Sequence, residues 1–203
     1  MPATKEKTAI KTKILETANQ LFNQQGYNNV SMRDIANALQ ISVGNLTYHY
    51  KKKEELVEAA IALQHQNYHK PEHLKTLQEL HECFQRVLTH QRGNPYYFHH
   101  YKQLAQLSPQ IYRIQNTVLN DLHDLIQNAF KNLTSQHQMT PDALENQSEN
   151  LAQAIITLCA YGTALNGVNV IACIWSLIYP KLTPKGKAIY HKHIEHDALL
   201  HSF

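Results

Sequence analysis

Residues 31–56 read SMRDIANALQISVGNLTYHYKKKEEL, a stretch whose spacing predicts two short helices joined by a turn of about four residues. Ser31 opens the first: its hydroxyl can cap free N–H groups while Asp34 supplies negative charge in the first turn. Ile35, Ala36 and Leu39 give that helix its apolar face, and Ser42 then opens a second helix carrying Val43, Leu46 and Tyr50. This is helix-turn-helix geometry, in which the first helix crosses a DNA backbone and the second enters the major groove. The second helix places Ser42, Gly44 and Asn45 at its start and Thr47, Tyr48 and His49 behind them. Such small, amide and hydroxyl groups suit base edges and phosphates, whereas a core helix has no use for them. Lys51, Lys52 and Lys53 follow directly.

Upstream, Ile10, Ile14, Ala18, Leu21 and Phe22 recur at helical spacing, so a first helix of about residues 6–25 is expected to stop at Gly26. The run from Leu21-Phe22 and Gly26-Tyr27 through Ser31 to Ala36, Val43 to Leu46, Tyr48-His49-Tyr50 and Lys53 to Leu56 resembles the N-terminal domain of the TetR family of bacterial transcriptional regulators. The resemblance implies a DNA-binding regulator, a repressor released from its operator by a small-molecule effector. It implies phosphate contacts from Ser31 and Arg33, base contacts from Val43, Gly44 and Asn45, and a grip on the sugar-phosphate strand by Tyr48, His49 and Lys53, with Leu46 and Tyr50 in the core. Two residues depart from the family pattern. Thr47 stands where tyrosine is usual, which shortens a phosphate contact, and Gln40 stands where glycine is common, at a cost of about 1 kcal/mol if the backbone there is left-handed.

Charge placement agrees with this division. Residues 1–56 hold eight Lys/Arg against five Asp/Glu, whereas the remaining 147 residues hold eleven of each, so all the excess positive charge lies in the quarter expected to meet a polyanion. The fold expected is all-α: a three-helix DNA-binding domain over residues 1–56, with the helix-turn-helix at about 31–50, and a larger helical bundle over 57–203 for ligand binding and dimerisation. Apolar spacing places its helices at about 53–69, 72–91, from Asn94-Pro95 through Leu104, about 25 residues from Ser108-Pro109, a long uncharged one from Thr140-Pro141, and 184–200.

From Asn150 to Pro180 there is no charged residue, but Gln153, Thr157, Asn166 and Asn169 interrupt the run, which favours a buried helix and dimer seam over a membrane span. Cys83, Cys159 and Cys173 have no CxxC spacing and are expected to be free thiols in a reducing cytoplasm; no signal peptide pattern follows the basic start. Phe84, Tyr97, Tyr101, Tyr112, Tyr161 and Trp175 are candidates for an effector pocket. Histidine is abundant, and His65, His69 and His73 fall four apart, which raises a metal-responsive regulator as the alternative; Pro71 interrupts the set and no ligand group is completed by spacing, so no metal or cofactor is expected. No nucleophile elbow, phosphate loop or dinucleotide fingerprint is present, so catalysis is not expected. The partners expected are double-stranded DNA with a palindromic operator, a small organic effector and a second copy of the chain.

Overall fold

The computed structural model describes residues 2–67, 71–162 and 167–200. In chain order the helices are α1 (Pro2–Gln25), α2 (Met32–Ala38), α3 (Val43–His49), α4 (Lys53–Asn67), α5 (Leu77–Gly93), α6 (Pro95–His99), α7 (Tyr101–Leu107), α8 (Pro109–Ser135), α9 (Gln147–Tyr161), α10 (Val170–Ile178), α11 (Pro184–His193) and α12 (Glu195–Leu200). Among the described residues there is no strand, only an isolated bridge between Met139 and Leu182, so the expected all-α class holds.

Two compact units emerge, and their limits differ from the boundary expected between residues 56 and 57. The first comprises residues 1–69 and 94–116. Its core takes Ile14, Ala18 and Phe22 from α1, Ile35 and Ala36 from α2 and Leu46 from α3. Leu56, Val57, Ala60 and Ile61 on α4 are buried in the same core, as are Tyr96, Tyr97, Leu104 and Ile111 from the later segment. A cut after residue 56 would strip α4 from the helices it packs against, which is why the boundary moves.

Local chemistry explains the ends of the short helices. Gly26 has φ +82°, and its N–H donates to Phe22 O at 2.9 Å, closing α1 where expected. At the end of α2, Gln40 N–H donates to Asn37 O and Ile41 N–H to Ala36 O, each at 3.0 Å, the paired bonds of a Schellman ending. That motif needs a left-handed residue between them, and Gln40 supplies it at φ +56° without the freedom of glycine.

The second unit comprises residues 70–93 and 117–203, with a core that includes Leu80, Phe84, Ile126, Phe130, Ile155, Ile174 and Trp175. Three helices here depart from expectation. The one expected from residue 72 begins at Leu77, because Thr76 Oγ1 accepts from Glu79 N–H while the Glu79 carboxylate accepts from Lys75 and Thr76 N–H. The long uncharged helix is two: α9 starts only at Gln147, and after Gly167 (φ +76°) Asn169 caps α10 by accepting from Ala172 N–H. The terminal helix is divided at Ile194, which is buried in the core with a non-helical backbone.

What keeps residues 141–146 out of helix is a polar knot. The buried Lys181 ammonium donates to Asp142 Oδ1 (2.7 Å), Pro141 O (3.2 Å) and Gln147 Oε1 (3.3 Å), and Asp142 also accepts from Ser148. No described helix is long and apolar enough to cross a membrane.

Gln40→Gly should remove the left-handed strain and raise the thermal midpoint by a few degrees, about what 0.5–1 kcal/mol gives in a chain of this size; an unchanged or lower midpoint would contradict it. The hydrogen bonds from Lys181 and then Ser148 hold the Asp142 carboxyl down to about 2. A carboxylate depressed in the folded state adds stability above its unfolded value near 4 and gives it up as pH falls toward 2. The stability advantage of the native chain over Asp142→Asn, measured by urea unfolding, is therefore expected in full at pH 7 and mostly lost by pH 2.

Candidate nucleic-acid interface

The segment from Ser31 to Lys53 is built so that two helices too short to persist alone are fixed to a common core. Each has its own N-terminal cap. Asp34 N–H donates to Ser31 Oγ (3.2 Å), and Ser31 N–H (2.8 Å) and Oγ–H (2.6 Å) both donate to Asp34 Oδ2, a complete capping box. These bonds hold the Asp34 carboxyl below the usual carboxylate range. For α3, Asn45 N–H donates to Ser42 Oγ at 3.1 Å. Four residues, Leu39 to Ser42, make the turn, as the sequence predicts.

The side chains of α3 then divide cleanly. Leu46 is 0% exposed and lies in the core, whereas Val43, Gly44, Asn45 and Tyr48 stand in solvent, Tyr48 at 72%. Ser42 is exposed as well, and Thr47 and His49 are half-buried. Thr47 Oγ1 donates to Gly44 O at 3.1 Å, which leaves its oxygen to accept but spends its proton. Nothing internal requires glycine at residue 44, since an added Cβ would meet only Ser42 Oγ at 3.8 Å. Its missing side chain instead leaves backbone open on the exposed face. The Tyr48 and His49 rings meet edge-on at 5.1 Å, and His49 Nδ1 is buried with no hydrogen-bond partner among the described residues.

Two of the expected contacts have different geometry. Ser31 is exposed, but its hydroxyl proton is committed to Asp34. Lys53, expected to grip the strand, turns inward: its ammonium donates to Tyr27 O (2.9 Å) and Val30 O (3.0 Å) and lies 4.2 Å above the Tyr27 ring. Burial pushes its pKa down. Lys53 thus ties the start of α4 to the turn between α1 and α2, while the cations left exposed beside α3 are Arg33, Lys51 and Lys52. Its seat is two carbonyls more than twenty residues away, which no local sequence signal marks.

The six aromatic pocket candidates divide between the two units. Phe84 and Trp175 are buried in the core of the second unit and Tyr97 in that of the first, where Tyr101 packs against it. Tyr112 and Tyr161 are exposed. Of the histidine run, His65 Nε2 lies 3.2 Å from the Tyr97 hydroxyl, His73 is exposed, and His69 falls outside the described residues. Among the described residues no group of three or more His, Cys, Asp or Glu is placed to hold a metal ion.

Lys53→Ala should cost about 1–2 kcal/mol of unfolding free energy, through two charge-assisted hydrogen bonds in a partly solvated site. Urea denaturation checks this, and undiminished stability combined with weaker DNA binding would show that the ammonium serves the nucleic acid instead.

Comparison with known proteins fits this geometry. Residues 14–60 match the family described as bacterial regulatory proteins, tetR family. The chain is 36% identical over 64 residues to the probable HTH-type transcriptional regulator YttP of Bacillus subtilis (strain 168), a match covering 32% of this chain and 31% of that protein. Over 52 residues it is 35% identical to IcaR, the HTH-type negative transcriptional regulator of the biofilm operon icaADBC in Staphylococcus epidermidis, covering 26% of this chain and 28% of that one. The matched segment thus spans about a third of the length of these relatives. The fold is similar along its whole length to the crystal structure of a TetR-family transcriptional regulator from Marinobacter aquaeolei VT8, with a TM-score of 0.80, 19% identity, and coverage of 95% of this chain and 98% of that one. Over its N-terminal helix-turn-helix domain, the chain is similar to the tetR family of bacterial regulatory proteins.

Proposed function

We propose that the chain is a homodimeric, sequence-specific DNA-binding transcriptional regulator of the cytoplasm, a repressor that a small organic effector releases from a palindromic operator. The observation that carries this reading is the division of α3: Leu46 locked in the core and Val43, Gly44, Asn45 and Tyr48 all outside. Val43 and Asn45 face base edges, with Gly44 allowing close backbone approach, while Arg33, Tyr48, His49, Lys51 and Lys52 neutralise or touch the flanking strand. Ser31 and Ser42 hold the two helix starts toward phosphate, and Thr47 and Lys53 support the interface from behind.

One helix-turn-helix rarely reaches specific affinity alone, and a dimer sets two recognition helices about 34–36 Å apart for successive major grooves. The face suited to a second copy lies on α9, where Gln153, Ala154, Thr157 and Tyr161 are exposed and uncharged at helical spacing. IcaR, a negative regulator, favours repression over activation. For the effector, the support is the family likeness together with the aromatic core around Phe84 and Trp175. An effector releases DNA only by its difference in affinity for the two arrangements of the dimer.

Selection of bound duplexes from a random pool is expected to return a palindrome. Asn45→Ala should then relax preference at one position of each half-site, at about 1–3 kcal/mol, whereas Arg33→Ala should weaken operator and random duplex alike and reduce the salt slope by about 1. Binding by both variants that equals the native chain would refute the interface.

A further inference from the structure

Helix α4 is gripped on two faces. Helical geometry advances about 100° per residue, so Gln64 stands about 20° from Lys53, while Glu58 and His65 stand about 140° and 120° away, on a second face. The first face carries the buried Leu56, Val57 and Ala60, with Lys53 bonded at one end to Tyr27 and Val30. At the other end Gln64 donates to Asn19 on α1 and, at 3.5 Å, to the Tyr96 hydroxyl. Ile61, also buried, stands about 80° from Lys53 between the two faces, and the second face adds two polar contacts, both to residues 94–116. The Ser108 hydroxyl donates to Glu58 Oε2, and His65 Nε2 meets the Tyr97 hydroxyl at 3.2 Å with the rings edge-on at 5.7 Å.

Ser108 is itself buried, and its oxygen accepts from Gln110 N–H (3.0 Å) and Ile111 N–H (3.4 Å), so it caps α8 with its lone pairs and clasps Glu58 with its proton. The carboxylate is thereby held at the positive end of a 27-residue helix. Removing Glu58 leaves the cap intact and breaks only the clasp.

We infer that Glu58, through Ser108, and His65, through Tyr97, are positioning residues for DNA recognition: they fix the tilt of α4, and with it α3, against the segment by which the first unit continues into the rest of the chain. This rests on the proposed DNA-binding function. A dimer on a palindrome must present two α3 helices at one separation, so a rocking α4 lowers simultaneous engagement of both half-sites. Random duplex is held through phosphates and makes no such demand.

The test measures affinity of the full chain for the palindrome it selects and for a random-sequence duplex of equal length. Glu58→Ala should lose about tenfold on the palindrome, the order of one lost charge-assisted hydrogen bond, with random-duplex affinity, salt slope and helical content unchanged. Glu58→Gln, which can still accept the Ser108 proton, should recover most of that loss. Tyr97→Phe, which deletes one hydroxyl and keeps the packing, should shift the ratio in the same direction. Equal affinities for all variants, or a parallel loss on both duplexes with a lower midpoint, would overturn the positioning role. If the native chain binds neither duplex, the DNA-binding function itself falls, and that outcome is distinct because it precedes any comparison of variants.

Discussion

A seven-residue helix does not hold its shape in water: nucleation is unfavourable, and isolated helices below about 12–15 residues are marginal. α3 exists because Leu46 is driven into the core of its unit and Ser42 satisfies its first free N–H groups. Everything functional on the helix depends on that anchor, since one buried side chain fixes which of its neighbours face water. The same condition makes the rest of the helix available. With packing carried by Leu46, the remaining positions are free to serve recognition.

The anchor has depth behind it. The first unit is completed by α4 and by Tyr96, Tyr97, Leu104 and Ile111, which arrive from the far side of α5 in the sequence. The recognition element is therefore not a detachable N-terminal piece. Its core closes only when a later part of the chain returns, which gives that later part a mechanical hold on α3. Polar groups sit where this hold is made, Glu58 on Ser108, Gln64 on Tyr96 and His65 on Tyr97, while Lys53 ties α4 to the α1–α2 turn.

The sequence made the local features legible and the long-range ones not. Ser31 with Asp34, Ser42 and Gly26 announce helix ends through contacts within a few residues, and each stands where expected. Gln40 stands out through the family resemblance, which often has glycine there, and its φ of +56° is left-handed. The Thr76–Glu79 box is an equally local signal, and it marks the start at Leu77 rather than at residue 72. By contrast, the inward turn of Lys53 depends on carbonyls of Tyr27 and Val30, and the late start of α9 depends on Lys181, some forty residues from Asp142. The aromatic residues show the same limit, since helical spacing marks Tyr97 and Trp175 as buried without telling which core receives them.

The proposed function places duplex DNA on the exposed side of α3. Backbone amide shifts of the isotope-labelled chain on titration with its selected duplex test it most directly. The largest changes should fall at Arg33 and from Ser42 to Tyr48, with Leu46 retaining slow amide exchange throughout. Changes confined to the second unit, or rapid exchange at Leu46 in the bound state, would contradict it.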